Sequence, residues 1–266
     1  RSTAGARCTF ERCEFASGEE CDSYVVDNTA VKQSAMGRWD IFCGRASLKA
    51  LVQSAYYVGQ LVGSLVCGWA GDRIGRKRVF FAAIIIQIAC GFLQAAAPTW
   101  WLYAIFRAGT GFSHPGIFVI ANVIGVELVG PKYRKMAGVI TGLFFSVGQC
   151  ILGAVAMGLT DYQLLHVAVT APAFIFLSYW WLVPESARWL VSVKKYEEAD
   201  AVLQKAAKTN GVTLPAEWWT MLDEEGAPQA KTSEGEKPGQ QRTYGYFDLL
   251  RTPELRKRAL VAWFLW

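Results

Sequence analysis

The stretch Gly68–Arg78, GWAGDRIGRKR, is a short basic segment set between two apolar runs, each long enough to cross a bilayer. Arg73, Arg76, Lys77 and Arg78 crowd into it. Short loops rich in Lys and Arg stay on the cytoplasmic side, because positive residues resist translocation. The segment therefore predicts an all-α polytopic membrane protein with this turn inside.

The composition on either side of that turn agrees. Of 266 residues, 53% are hydrophobic and 18% charged, and the mean hydropathy is +0.21, more apolar than an ordinary soluble domain of this length. The apolar residues fall in runs of about 20, the length a helix needs to span roughly 30 Å of hydrocarbon. Such runs at 48–70, 79–97, 100–128, 136–159 and 164–183 predict transmembrane helices. A further run opens at Ala259 and stops at Trp266, and the chain begins on Arg1, so a piece of a longer protein is expected.

Charge placement sets the topology. The turn between the third and fourth spans carries Lys132, Arg134 and Lys135, whereas Pro98–Thr99 and the turn around Asp161 carry no Lys or Arg. This alternation puts 1–47 outside and 184–258 inside as a long loop. The net charge of +5 reflects the same bias and gives no ground for nucleic-acid binding. Trp100, Trp101 and Tyr103 near one face and Tyr179, Trp180 and Trp181 near the other read as interfacial belts that anchor the chain in its lipid bilayer.

Within the inner loop, 194–210 places Tyr196, Ala199, Val202, Leu203 and Ala206 on one side at helical spacing, and Gly211 follows as a stop. An amphipathic helix is predicted there. Residues 224–242 are rich in Gly, Pro, Lys and Glu and read as a disordered linker. Acids and bases balance over the loop as a whole, which argues for a solvated element over an anionic-lipid site.

Cys8, Cys13, Cys21 and Cys43 all fall in the outer segment, an oxidising compartment, and are candidates for two disulfides with three alternative pairings. One of them can instead pair with a cysteine beyond this sequence. No His accompanies them, which disfavours a metal site. Cys67, Cys90 and Cys150 are scattered in the spans and read as packing residues.

Three polar constellations fall at the basic helix ends. They are Asp72 with Arg73, Arg76 and Lys77; Glu127 with Arg134; and Glu185 with Arg188 in Pro184–Trp189. Single pairs of this kind are weak. A network of them that closes in one state and separates in another biases a conformational equilibrium. The plainer reading makes them topology anchors, and the coincidence of three patterns favours the network.

The segment from Trp39 to Val79, RAGTGFSHPGIFVIANVIGVELVGPKYR from Arg107, PESARWL from Pro184 and LLRTPELRKR from Leu249 resemble the organic cation transporter family (solute carrier 22 type) of the major facilitator superfamily. The likeness covers nearly the whole chain. GDRIGRK and PES-x-RWL are shared with sugar porters. ELVGPKYR, the cysteine-bearing outer segment and WD-x-x-C are more particular to the organic ion branch, and are similar to those of invertebrate organic cation or carcinine-type members. Ala187 stands where the family usually has proline, with Glu185 and Arg188 retained.

The resemblance implies a major facilitator fold of twelve helices in two halves, with substrate at the midplane between them. This chain would supply helices two to six and the start of seven, and is not expected to transport alone. Arg107 lies about two turns inside its span, where a cation needs a partner or a wet cavity unless it snorkels. His114-Pro115-Gly116 interrupts the same helix pattern, and His114 reads as a packed histidine.

By position, Tyr56, Tyr57, Gln60, Arg107, Phe118, Asn122, Phe144 and Gln149 are the candidate cavity residues; aromatic faces with a few polar groups attract a cation without holding it too tightly. In the family, Phe118 matches a substrate-packing aromatic, whereas Gln60 departs from one. Ordinary packing or lipid contact is the alternative for each aromatic. The expected function is alternating-access transport of small organic cations, or zwitterions such as carnitine relatives, driven by membrane potential. A sugar or organic anion carrier on the same scaffold and a non-transporting membrane protein are the alternatives. No catalytic triad, metal site or phosphate loop is evident, so neither enzyme activity nor a cofactor is expected.

Overall fold

A computed structural model describes residues 34–39, 41, 45, 47–129, 133–215, 218–220, 253, 256–259 and 261, with backbone only at Met36 and Arg134. Ten helices are present among them: α1 (Ala35–Arg38), α2 (Ser47–Ile74), α3 (Arg76–Ala96), α4 (Trp100–Leu128), α5 (Arg134–Gly158), α6 (Tyr162–Thr170), α7 (Ala173–Leu177), α8 (Tyr179–Leu182), α9 (Ala187–Ser192) and α10 (Tyr196–Asn210). Five segments are long and apolar enough to cross a membrane: α2, α3, α4, α5 and the run from α6 through α8.

The basic stretch proves to be helix on both sides of one residue. Apolar periodicity ends near Ala70, but α2 continues for another turn to Ile74, and α3 opens at Arg76. Gly75 alone reverses the chain, at φ 114 and ψ 147, a conformation open almost only to glycine.

A second difference falls in the last span. Its apolar run predicts one helix, and the backbone divides it into α6, α7 and α8. Pro172 has no N–H for a helical bond, and the chain tightens around it. Phe174 N–H reaches Ala171 O at 3.2 Å and Ser178 N–H reaches Ile175 O at 3.1 Å, both three residues back. In α4, by contrast, Pro115 is buried within a helix that runs unbroken from Trp100 to Leu128.

α4 is the central element, packed along α2 on one flank and α3 on the other. Small residues set the first contact. The buried positions of α2 are Gly59, Gly63, Cys67 and Gly71, one every fourth residue and so on one stripe. A Cβ at Gly59 would fall on the Ala108 carbonyl, and one at Gly63 on that of Phe112. Close backbone approach of this kind is how helices associate in lipid, where apolar burial gives no drive.

Polar side chains join the α3 flank. Ser113 Oγ–H donates to Gln87 Oε1 at 2.5 Å and Gln163 Nε2 donates to Ala95 O at 2.8 Å, tying α3 to α4 and α6. Phe81, Ile84 and Ile88 of α3 form one apolar cluster against Ala173 and Leu177 of α7, and Cys67, Val79, Ile120 and Ile124 form another between α2, α3 and α4. No described residue of α5 is buried, and side chains such as Leu143 and Met157 point outward.

α9 and α10 form a small unit at the Gly75 end, packed on each other. The α10 register is one residue from the predicted stripe at its end: Ala199 and Ala207 are buried, and Ala206 is exposed. Gly211, left-handed at φ 68, ends the helix. Residues 215–266 group as a separate unit, in which the Trp218 and Trp219 rings meet edge to face at 5.8 Å.

Candidate functional site

At the Gly75 end, three stretches of chain converge on two carboxylates. Arg76, at the first position of α3, lies between Asp72 Oδ1 at 3.2 Å and Glu127 Oε2 at 3.4 Å. Glu127, in the last turn of α4, also accepts the Ser186 hydroxyl at 2.6 Å. Ser186 caps α9 by accepting the Trp189 N–H at 3.2 Å.

Glu185 closes the arrangement. Its Oε1 accepts the backbone N–H of Lys77 at 3.0 Å and of Ser186 at 3.1 Å, so one carboxylate caps α3 and steadies the start of α9. Trp189 Nε1–H donates to Asp72 O at 2.8 Å, satisfying a carbonyl at the end of α2. The Gly75 backbone leaves room for this: a Cβ there would sit 2.6 Å from Glu185 Oε2. The result is a joint in which α2, α3, α4 and α9 share hydrogen bonds. The Arg76 and Glu127 side chains are only 20% and 13% exposed, so their pairing is less screened than an ordinary surface pair.

Not every predicted member joins. Arg73 lies over the Trp69 ring at 4.8 Å and Lys77 Nζ over the Trp180 ring at 5.0 Å, each facing an aromatic surface in place of a carboxylate. Arg188 is exposed and pairs with no carboxylate among the described residues. The Arg134 side chain lies outside them. Ser186, Trp189 and Gly75 are members that pairing opposite charges along the sequence passes over. The cap pattern before α9 is the local signal for Ser186.

A second cluster lies midway along α2 and α4. The Arg107 guanidinium sits over the Tyr56 ring at 5.3 Å, and Tyr56 meets Tyr57 edge to face at 5.5 Å. His114 stacks on Phe118 at 5.9 Å, lies 6.4 Å from Tyr56, and has Gln60 Nε2 3.5 Å from its Nδ1. Arg107 has no carboxylate within ion-pair reach among the described residues, and an aromatic face takes that place.

On the α5 side, Phe145 reaches Phe118 at 5.9 Å, and both it and the neighbouring cavity candidate Phe144 are exposed, at 52% and 73%. Gln149 is exposed on α5, and Asn122 donates to the Phe118 carbonyl of its own helix at 2.7 Å. His114, read from sequence as a packing residue, packs here between Phe118 and Tyr56.

At the opposite end, Tyr103 departs from the interfacial role expected of it. It is buried, with its hydroxyl 3.2 Å from His166 Nε2 and its ring 5.1 Å from Trp39. Trp39 Nε1–H donates to Pro98 O at 3.1 Å and Arg38 donates to the Tyr162 hydroxyl at 2.7 Å, fastening the segment before α2 across α4 and α6. The disulfide candidates Cys8, Cys13, Cys21 and Cys43 lie outside the described residues.

These features define a multi-pass helical membrane protein with a partial major facilitator fold. The chain belongs to the sugar (and other) transporter family, whose model matches residues 14–266. It is 40% identical over 246 residues to the organic cation transporter protein of Drosophila melanogaster, which covers 92% of this chain and 44% of that one. It is 32% identical over 233 residues to human solute carrier family 22 member 2, covering 88% of this chain and 40% of the relative. The chain thus spans less than half the length of these curated relatives. In structure it is similar to the E. coli xylose transporter XylE in a partially occluded inward open conformation, with a TM-score of 0.54 at 19% identity over 67% of this chain and 48% of that one.

Proposed function

We propose that the complete protein carries small organic cations, or zwitterions bearing a cationic group, across the plasma membrane by alternating access, and that it is a carrier rather than an enzyme. The cluster of Tyr56, Tyr57, His114, Phe118 and Phe145 carries this reading. Aromatic faces attract a cation by their quadrupole without the tight grip of a carboxylate, which suits a site that must release its load. The names of the relatives point the same way.

In this reading the basic turn faces the cytoplasm and the Asp72, Arg76, Glu127, Glu185 and Ser186 joint is the inner gate. The joint forms when the cavity opens outward and parts when it opens inward. An inside-negative potential favours cation entry by about 2.3 kcal/mol per charge per 100 mV, so no second ion is required.

One observation favours a second reading. Arg107 puts a positive charge beside the cluster with no carboxylate partner among the described residues, which would suit the acidic group of an organic anion. The test is uptake into voltage-clamped oocytes expressing the complete protein, with a labelled quaternary ammonium, an organic anion and a hexose compared at two potentials. Cation uptake that grows as the inside becomes more negative supports the first reading. Uptake confined to the anion or the hexose overturns it.

A further inference from the structure

Beside the joint, the surface at the Gly75 end contains a cleft of about 520 Å³ lined by Arg73, Lys77, Arg78 and Lys195, with Trp180 and Trp189 on its walls. Two carboxylates border it and both are engaged. Glu185 accepts backbone N–H groups from Lys77 and Ser186, and Glu198 pairs with Lys195 at 2.6 Å. Among the described residues, no carboxylate lies within ion-pair distance of Arg73, Lys77 or Arg78. The rings beneath Arg73 and Lys77 hold those cations in place without neutralising them.

The cleft adjoins a second hollow at Ile74 and Arg78. Ile74 and Arg78 are also walls of a second hollow, about 360 Å³, that runs between α2 and α3 and is otherwise lined by apolar side chains such as Val66, Val79 and Ile86. A cationic pocket and an apolar slot therefore meet at one arginine. A single ligand that fills both has an anionic phosphate at one end and a hydrocarbon chain at the other.

We propose that this paired cleft is a binding site for an anionic phospholipid of the inner leaflet. Its phosphate headgroup sits among Arg73, Lys77, Arg78 and Lys195, and an acyl chain lies in the slot between α2 and α3. Arginine's planar fork matches phosphate oxygens, and basic pockets at the cytoplasmic ends of helices take such headgroups. A free phosphate compound would use the cleft but has no use for the slot. The balanced charge of the inner loop does not conflict with this, because the loop contributes one cation and the fold brings it to three from the α2–α3 turn.

The experiment is native mass spectrometry of the full-length protein released from phosphatidylcholine nanodiscs doped with dioleoyl phosphatidylinositol bisphosphate, with soluble inositol trisphosphate as a parallel probe. Wild type should retain the doped lipid over phosphatidylcholine. Arg78→Gln with Lys195→Gln should weaken retention roughly tenfold, and Arg78→Lys with Lys195→Arg should restore most of it. Ala82→Trp, which fills the slot and leaves every cation in place, should lose the lipid while keeping the affinity of wild type for inositol trisphosphate. Equal retention by wild type and the glutamine variant overturns the site. Binding of inositol trisphosphate without retention of the lipid overturns the lipid assignment.

Discussion

Gly75 is where backbone conformation and charge placement depend on each other most directly. Its φ of 114 strains any other residue, and the space a Cβ would need holds the Glu185 carboxylate. Gly75→Ala is expected to cost about 1–3 kcal/mol from the backbone alone and to push Glu185 off the Lys77 N–H. Thermal unfolding of the purified full-length protein should show the loss, and Glu185→Gln, with the backbone unstrained, should show a smaller one.

Glu127 makes a second residue-scale case, because one carboxylate holds both Arg76 and the Ser186 hydroxyl. Ser186→Ala removes the donor and the α9 cap together and is expected to weaken the joint by about 1–3 kcal/mol. If the joint is the inner gate, cysteines placed in the cavity should become more reactive to a membrane-impermeant thiol reagent applied from the cytoplasmic side. Unchanged labelling would leave the joint a static brace.

Among the elements, α2 and α4 are held by absence of side chain. Gly63→Leu would drive a side chain into the Phe112 backbone, which a helix cannot yield without moving as a whole. Surface expression of the full-length protein is expected to collapse in that variant. Gly138→Ala on α5, where an added Cβ would meet no described atom within 4 Å beyond its chain neighbours and its own helix backbone, should express at the wild-type level. Expression of both alike would mean that α2 and α4 can part at Gly63 without loss of the fold. The division of the last span at Pro172 is also a property of elements. Hydropathy registers the length of an apolar run and is blind to a missing N–H, so the break is visible only through the proline itself.

For the whole molecule, the proposed function makes a thermodynamic prediction independent of any one residue. A monovalent cation carried alone should accumulate about 50-fold more at equilibrium for each additional 100 mV of inside-negative potential. A neutral sugar should not respond, and an anion should be excluded. Tracer accumulation in vesicles clamped by a potassium gradient and valinomycin reads the ratio directly. A slope well below this for a cation would mean a compensating charge moves with it.

The class of the protein is legible in one dimension. Apolar runs of spanning length and alternating basic loops are properties of the linear chain, and they carried the polytopic helical architecture and the family likeness of GDRIGRK and ELVGPKYR. Which side chains meet is settled only in three dimensions. Ser186 lies 59 residues from the Glu127 it bonds, whereas Arg73 and Arg76, on the same short basic stretch, turn to an indole ring and to two carboxylates, so neither distance along the chain nor residue type says which joins a cluster. That choice depends on helical phase and on how closely the backbones approach, which at Gly59 and Gly63 is set by atoms that are not there. The same dependence buried Tyr103 where an interfacial anchor was expected and joined Lys195 to the cations of the α2–α3 turn.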